Sequence, residues 1–176
     1  MYYFVFDVES VGLYGLGFAV GWVVLNDDGI ELESNYLACP HQEASYSADD
    51  KDLEWVEENV LPHLPEPNCD FLPDLYHRFW EAWTVWGSKG AIMAADCNYP
   101  VETNFLRSCI LNDRRRASQA PYPLVDLASV LLAEGYDPIG TYERLESEKP
   151  AHNPVNDARQ SGRLLVKLLE LGGPIQ

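Results

Sequence analysis

The opening run Tyr2-Tyr3-Phe4-Val5-Phe6-Asp7-Val8-Glu9 sets two carboxylates inside a stretch that is otherwise aromatic and β-branched. That contradiction limits what the chain can build. The composition favours a buried strand. Side chains alternate between the two faces of a strand, so Asp7 and Glu9 point the same way, with Cα atoms ~6.6 Å apart. Burying two like charges unpaired is costly, and a hard divalent cation bound through oxygen relieves their repulsion. Bonding one acid to an arginine or to a helix end is the plainer alternative.

The rest of the chain supplies partners for that strand. A second extended run at residues 18–25 ends at Asn26-Asp27-Asp28-Gly29, and residues 30–37 resume the pattern, a hairpin signal. Residues 39–73 are acidic and rich in proline. They read as surface connections with one short helix over 53–60. Leu75, Phe79, Ala82 and Trp83 recur at helical spacing within residues 74–88. Residues 91–97 then read as a short buried strand, and Pro100 opens a helix. Residues 123–126 read as a further strand running into a helix over 127–134. A last helix is expected over 156–171, stopped by Gly172-Gly173-Pro174. Strands first as an antiparallel meander, then alternating with helices, imply an α/β fold with a mixed β-sheet flanked by α-helices.

With 176 residues, 47% of them hydrophobic, and no linker or repeat, one domain over residues 1–176 is expected. No apolar run approaches the ~20 residues of a membrane span and the first residues lack a charged leader, so a soluble, cytoplasmic protein without membrane contact is expected. Cys39, Cys69, Cys97 and Cys109 lack zinc-ligand spacing and read as reduced thiols. Trp80, Trp83 and Trp86 read as packing residues.

The formal charge of −16 argues against indiscriminate binding to a phosphate backbone. Its distribution is uneven. Residues 1–106 hold 19 acidic and 3 basic side chains, whereas residues 107–176 hold nine of each. A polyanion would therefore approach a surface built by the later segment, with Arg114, Arg115, Arg116, Arg159 and Arg163 as candidates.

A second chemical cluster lies in Ala151-His152-Asn153-Pro154-Val155-Asn156-Asp157, where a loop enters the last helix. Asp157 falls in that helix's first turn, where the dipole favours a carboxylate whatever its function. Asp-x-Glu in an opening strand, an acid in the middle third and His-x4-Asp entering the last helix together resemble the DEDDh branch of 3′→5′ exonucleases. That branch belongs to the ribonuclease-H-like superfamily and includes polymerase proofreading exonucleases and oligoribonuclease. Residues 123–135 and 156–169 resemble the family's later strand-and-helix and closing helix, while residues 39–73 match nothing in it.

The middle acid departs from the family pattern, which has two apolar residues three and four positions after the acid. Phe105 and Leu106 stand at that distance from Glu102, whereas Asp96 is the only aspartate in the segment and ends the expected strand. Residue type and strand position favour Asp96, with Glu102 as its competitor.

The resemblance implies hydrolysis of single-stranded DNA or RNA from the 3′ end to nucleoside 5′-monophosphates. It implies two Mg²⁺ or Mn²⁺ ions held by Asp7, Glu9, Asp96 and Asp157, with His152 as general base. Ser10 and Gly12 would let the backbone approach the terminal nucleotide. A non-catalytic binding or interaction protein on the same fold, or a phosphodiesterase for very short oligonucleotides, are the competing readings.

Overall fold

The computed structural model describes residues 1–46 and 48–169. Five strands form one sheet in the order β3-β2-β1-β4-β5, from β1 (Tyr2–Ser10), β2 (Gly17–Asn26), β3 (Glu31–Ala38), β4 (Ile92–Ala95) and β5 (Leu124–Asp126). The first three pair antiparallel, and β4 and β5 join parallel, giving the expected mixed sheet with β1 at its centre. The hairpin between β2 and β3 closes on Asn26, whose Oδ1 accepts from the Asp28 and Ile30 amides at 3.0 and 2.8 Å.

Helices cover both faces. Even-numbered residues of β1 enter one core with Trp22 of β2, where Phe4, Phe6 and Val8 meet Phe79 and Trp83 of α2 (Leu72–Gly87) and Phe105 of α3 (Thr103–Asn112). Odd-numbered Tyr3 and Val5 enter a second core with Val23, Leu127 and Leu131 of α4 (Leu127–Ala133), and Leu165 of α5 (Pro154–Leu169). This alternation sends Asp7 and Glu9 toward the α5 side. The tryptophans of α2 are buried, and Trp83 and Trp86 also anchor through their indole N–H groups, to Gln119 O and Glu33 Oε2.

Several boundaries differ from the sequence reading for local reasons. Within 39–73, α1 (Asp50–Asn59) begins three residues before position 53, because Asp49 Oδ1 accepts from the Asp52 amide at 2.9 Å and caps it. β4 stops at Ala95, so Asp96 lies one residue beyond the strand it was expected to end. Residues Asn98–Glu102 form one wide turn, and α3 begins only at Thr103, leaving Pro100 outside the regular helix. α5 starts at Pro154, two residues early, because Asn153 Oδ1 accepts from the Val155 and Asn156 amides at 3.2 and 3.4 Å. The expected end of that helix at Leu171 and its stop at Gly172-Gly173-Pro174 lie outside the described residues. Among the described residues no helix is long and apolar enough to cross a membrane, and none of the four cysteines is paired.

Candidate active site

Two glycines on β2 and α5 allow the last helix to reach the acids of the first strand. Gly21 pairs with Asp7 across the sheet, and a Cβ there would run into the Val155 nitrogen and the Pro154 carbonyl carbon. Without that methyl, the first turn of α5 settles directly on the strand pair. Gly162, two turns later, lets the helix body approach Leu25, Val5 and Val23. Asp157 is thereby set over the C-terminal half of β1, its amide donating to Asn153 O at 2.9 Å.

One carboxylate oxygen each from Asp7, Glu9 and Asp157 lie within 4.8 Å of one another. The crowding has electrostatic consequences. Burial, then the charges of Glu9, Asp157, Glu102 and Asp96, hold the Asp7 carboxyl well above the ordinary carboxylate range. Burial and then Asp157 and Glu102 push Glu9 up to about 8. Burial also raises Asp157, against the opposing charge of Arg144.

The two candidates for the middle acid take different places. Glu102 is 7% exposed and stands against the first-strand acids. Its charge acts on Asp7 more strongly than that of Asp96, and it also acts on Glu9. Burial pushes Glu102 itself up to about 7. Asp96 keeps more contact with solvent and lies toward Asp126, Asp157 and Arg144; partial desolvation and then Asp126 and Asp157 raise it. Both acids thus act on the first-strand carboxylates, and Glu102 is the more buried of the two.

His152 occupies the loop before α5 with φ of 60°, a left-handed conformation uncommon for a residue with a Cβ. Its ring is exposed and meets the Trp55 indole of α1 edge-on, with centroids 5.5 Å apart. Ser10 and Gly12 line a cleft of about 280 Å³ with Glu9, Leu13, Asp52, Trp55 and Val101. The Ser10 hydroxyl donates to Gly12 O at 2.8 Å and so also closes the turn. Gly12 has φ of 76° and leaves no room for a Cβ beside the Asp52 carboxylate, which brings α1 over the turn.

The sequence reading missed Arg144. Its Nη1 lies 2.6 Å from Asp157 Oδ1. The segment carrying it is pinned to α5 by Arg163, whose Nε donates to Glu148 Oε1 at 2.6 Å, and by Gln160, which donates to Tyr142 O at 2.9 Å. No periodicity marks this segment, and only the run Glu143-Arg144-Leu145-Glu146 before the histidine loop offered a charge signal. The Asp157 oxygen is buried, and the Arg144 guanidinium is its ion-pair partner.

The basic surface expected of the later segment is mostly spent within the protein. Arg115 pairs with Asp113 at 2.8 Å, Arg159 with Glu31 at 2.9 Å and Arg163 with Glu148 at 2.6 Å. Arg116 is buried and donates to Cys109 O at 2.9 Å. Arg114 alone of the five stays on the surface without a carboxylate partner among the described residues, beside Arg107 on a groove lined by Leu106, Ile110 and Leu124.

A five-stranded mixed sheet between two helical layers is a ribonuclease-H-like α/β fold. Exonuclease I from Methylocaldum szegediense is similar at a TM-score of 0.67 and 14% identity, over 97% of this chain and 40% of that one. The zinc-bound E. coli ExoI–ssDNA complex is similar at 0.65 and 12%, over 96% of this chain and 40% of that one. The nuclease domain of 3′hExo, a DEDDh family member bound to rAMP, is similar at 0.55 and 14%, over 99% of this chain and 94% of that one. The chain thus spans two fifths of the exonuclease I chains and nearly all of the 3′hExo domain. No family model and no curated protein sequence matches the chain. At these identities the likeness establishes the fold.

Proposed function

We propose that the protein is a divalent-metal-dependent 3′→5′ exonuclease that releases nucleoside 5′-monophosphates from single-stranded DNA or RNA. The observation that carries this reading is the meeting of Asp7, Glu9 and Asp157 within 4.8 Å. The donor set is all oxygen, which suits Mg²⁺ or Mn²⁺.

Asp7, Glu9, Asp157 and Glu102 would hold the metal, with Asp96 on its outer side. When bound, a pair of ions would activate the attacking water and stabilise the leaving 3′ oxygen. His152 would take the proton of that water as general base, and its exposed position leaves it free to pass the proton to solvent. Ser10 and Gly12, on the cleft beside Glu9, would bring backbone against the terminal nucleotide. Arg144 would steady Asp157 while the site is empty.

A phosphodiesterase acting on very short oligonucleotides is the second reading, favoured by the −16 charge and by the arginines already paired within the fold. Incubating single-stranded DNA and RNA, labelled at either end, with Mg²⁺, Mn²⁺ or chelator separates the possibilities. Stepwise shortening of 5′-labelled strands, with mononucleotide released at once from 3′-labelled ones, supports the exonuclease. Turnover confined to di- to tetranucleotides supports the second reading, and early internal fragments contradict both.

A further inference from the structure

Asp7, Glu9 and Asp157 are held by the sheet and by α5, but the proposed base is not. His152 sits in a loop, in a left-handed conformation, and among the described residues nothing hydrogen-bonds its ring. Two contacts instead tie this loop to residues 39–73, the part of the chain that matches nothing in the exonuclease pattern. The Asn153 side chain donates to His63 O at 3.0 Å, immediately after the base. The Trp55 indole meets the His152 ring at 5.5 Å with an interplanar angle of 86°. Trp55 is 50% exposed, so filling a core is not its purpose. It also lines the cleft beside Glu9, so one residue meets both the cleft and the imidazole.

A base must be held within a narrow range of position and angle for its proton transfer to be effective, and small displacements cost large factors in rate. An edge-on aromatic pair restricts ring orientation without competing for the ring nitrogens. We propose that Trp55 is a positioning residue that braces the His152 ring toward the acid cluster, so that α1 belongs to the catalytic apparatus. This rests on His152 serving as the base in the reading above.

The test compares wild type with Trp55→Ala, Trp55→Phe, His152→Ala and the Trp55→Ala/His152→Ala double variant, on a single-stranded oligonucleotide with saturating Mn²⁺. Trp55→Ala should lower kcat about tenfold or more while KM stays within about twofold, and Trp55→Phe should recover most of the loss. In the His152→Ala background, removing Trp55 should change nothing further. A raised KM with kcat preserved would make Trp55 a substrate contact, and an equal loss in both backgrounds would show that it acts elsewhere; either overturns the proposal. The imidazole proton resonances of His152 give a readout without turnover. They should move in Trp55→Ala and stay near the wild-type position in Trp55→Phe, and resonances indifferent to both changes overturn the brace whatever the activity. A wild type inert on DNA and RNA with every metal would instead remove the nuclease reading itself.

Discussion

Glu102 and Asp96 stand on either side of one wide turn, and the turn decides which of them meets the first strand. Read as the end of a strand, Asp96 was the natural carboxylate. The strand stops one residue short of it, and residues 98–102 fold back so that Glu102 is buried against Glu9. An irregular turn has no periodicity to read, so the sequence offered only residue type and the spacing to Phe105 and Leu106 for choosing between the two. Glu102→Gln should therefore remove nearly all metal-dependent hydrolysis, while Asp96→Asn keeps a measurable fraction; steady-state rates in Mn²⁺ check the order, and its reversal restores Asp96. Asp7→Ala and Asp157→Ala should abolish turnover with the circular dichroism spectrum unchanged, since neither empties apolar core volume. His152→Ala should slow the reaction by roughly 10²–10⁴-fold at neutral pH with metal affinity largely kept.

The same acids make a prediction about pH. Glu9 rises from 4.5 to about 8 and Glu102 from 4.5 to about 7, so the metal-free folded state holds protons that the unfolded chain releases. Their contribution to stability is complete below about pH 4.5 and is lost as pH climbs through about 8. The melting temperature of metal-free protein should fall between about pH 5 and pH 8. Mn²⁺ binds the ionised acids, so it should raise the melting temperature more at the upper end of that range. A metal effect that is equal or larger at pH 5 would contradict the assignment of these residues as ligands.

Among the elements, β1 and α5 make the site, and their meeting depends on the absence of side chains on both. The alternation of β1 was legible because one face had to be apolar, and the helix carrying Asp157 was legible from its leucines. Their contact was not, because Gly21 lies in a strand that reads as continuous and its role appears only when the Pro154–Val155 backbone is seen against it. Gly21→Ala and Gly162→Ala both crowd α5, and each should destabilise the protein by on the order of 1–3 kcal/mol. Only the first should displace Asp157. Thermal melts should show both losses, and hydrolysis rates at a temperature where both variants are folded should fall far more for Gly21→Ala; comparable activities would show that the helix start does not set the site. Arg144 was hidden for a related reason, since it meets Asp157 from a segment without regular pattern.

At the scale of the whole molecule, charge is the dominant fact. The −16 total and the pairing of Arg159 and Arg163 within the fold reduce the basic surface open to a long polyanion. The segment richest in arginine was readable in the sequence, but which guanidiniums remain for a ligand depended on carboxylates as distant as Glu31. Replacing Arg107 and Arg114 together by Ala should reduce the dependence of log affinity on log salt by about 1.4, as expected for two contacts to single-strand phosphates. Arg115→Ala and Arg159→Ala should leave that slope unchanged. An unchanged slope in the Arg107/Arg114 double variant would place the strand on another face.

The central claim is that the acids joined by β1 and α5 form a metal-dependent site hydrolysing nucleic acid from the 3′ end. Its most direct test is a time course on 5′-labelled single strands of DNA and RNA with wild type and Asp7→Ala purified in parallel, in Mn²⁺ and in chelator. The account predicts a ladder receding from the 3′ end with wild type in Mn²⁺ alone, and intact strands in the other three conditions. Intact strands with wild type in Mn²⁺, or the same ladder with Asp7→Ala, would contradict it.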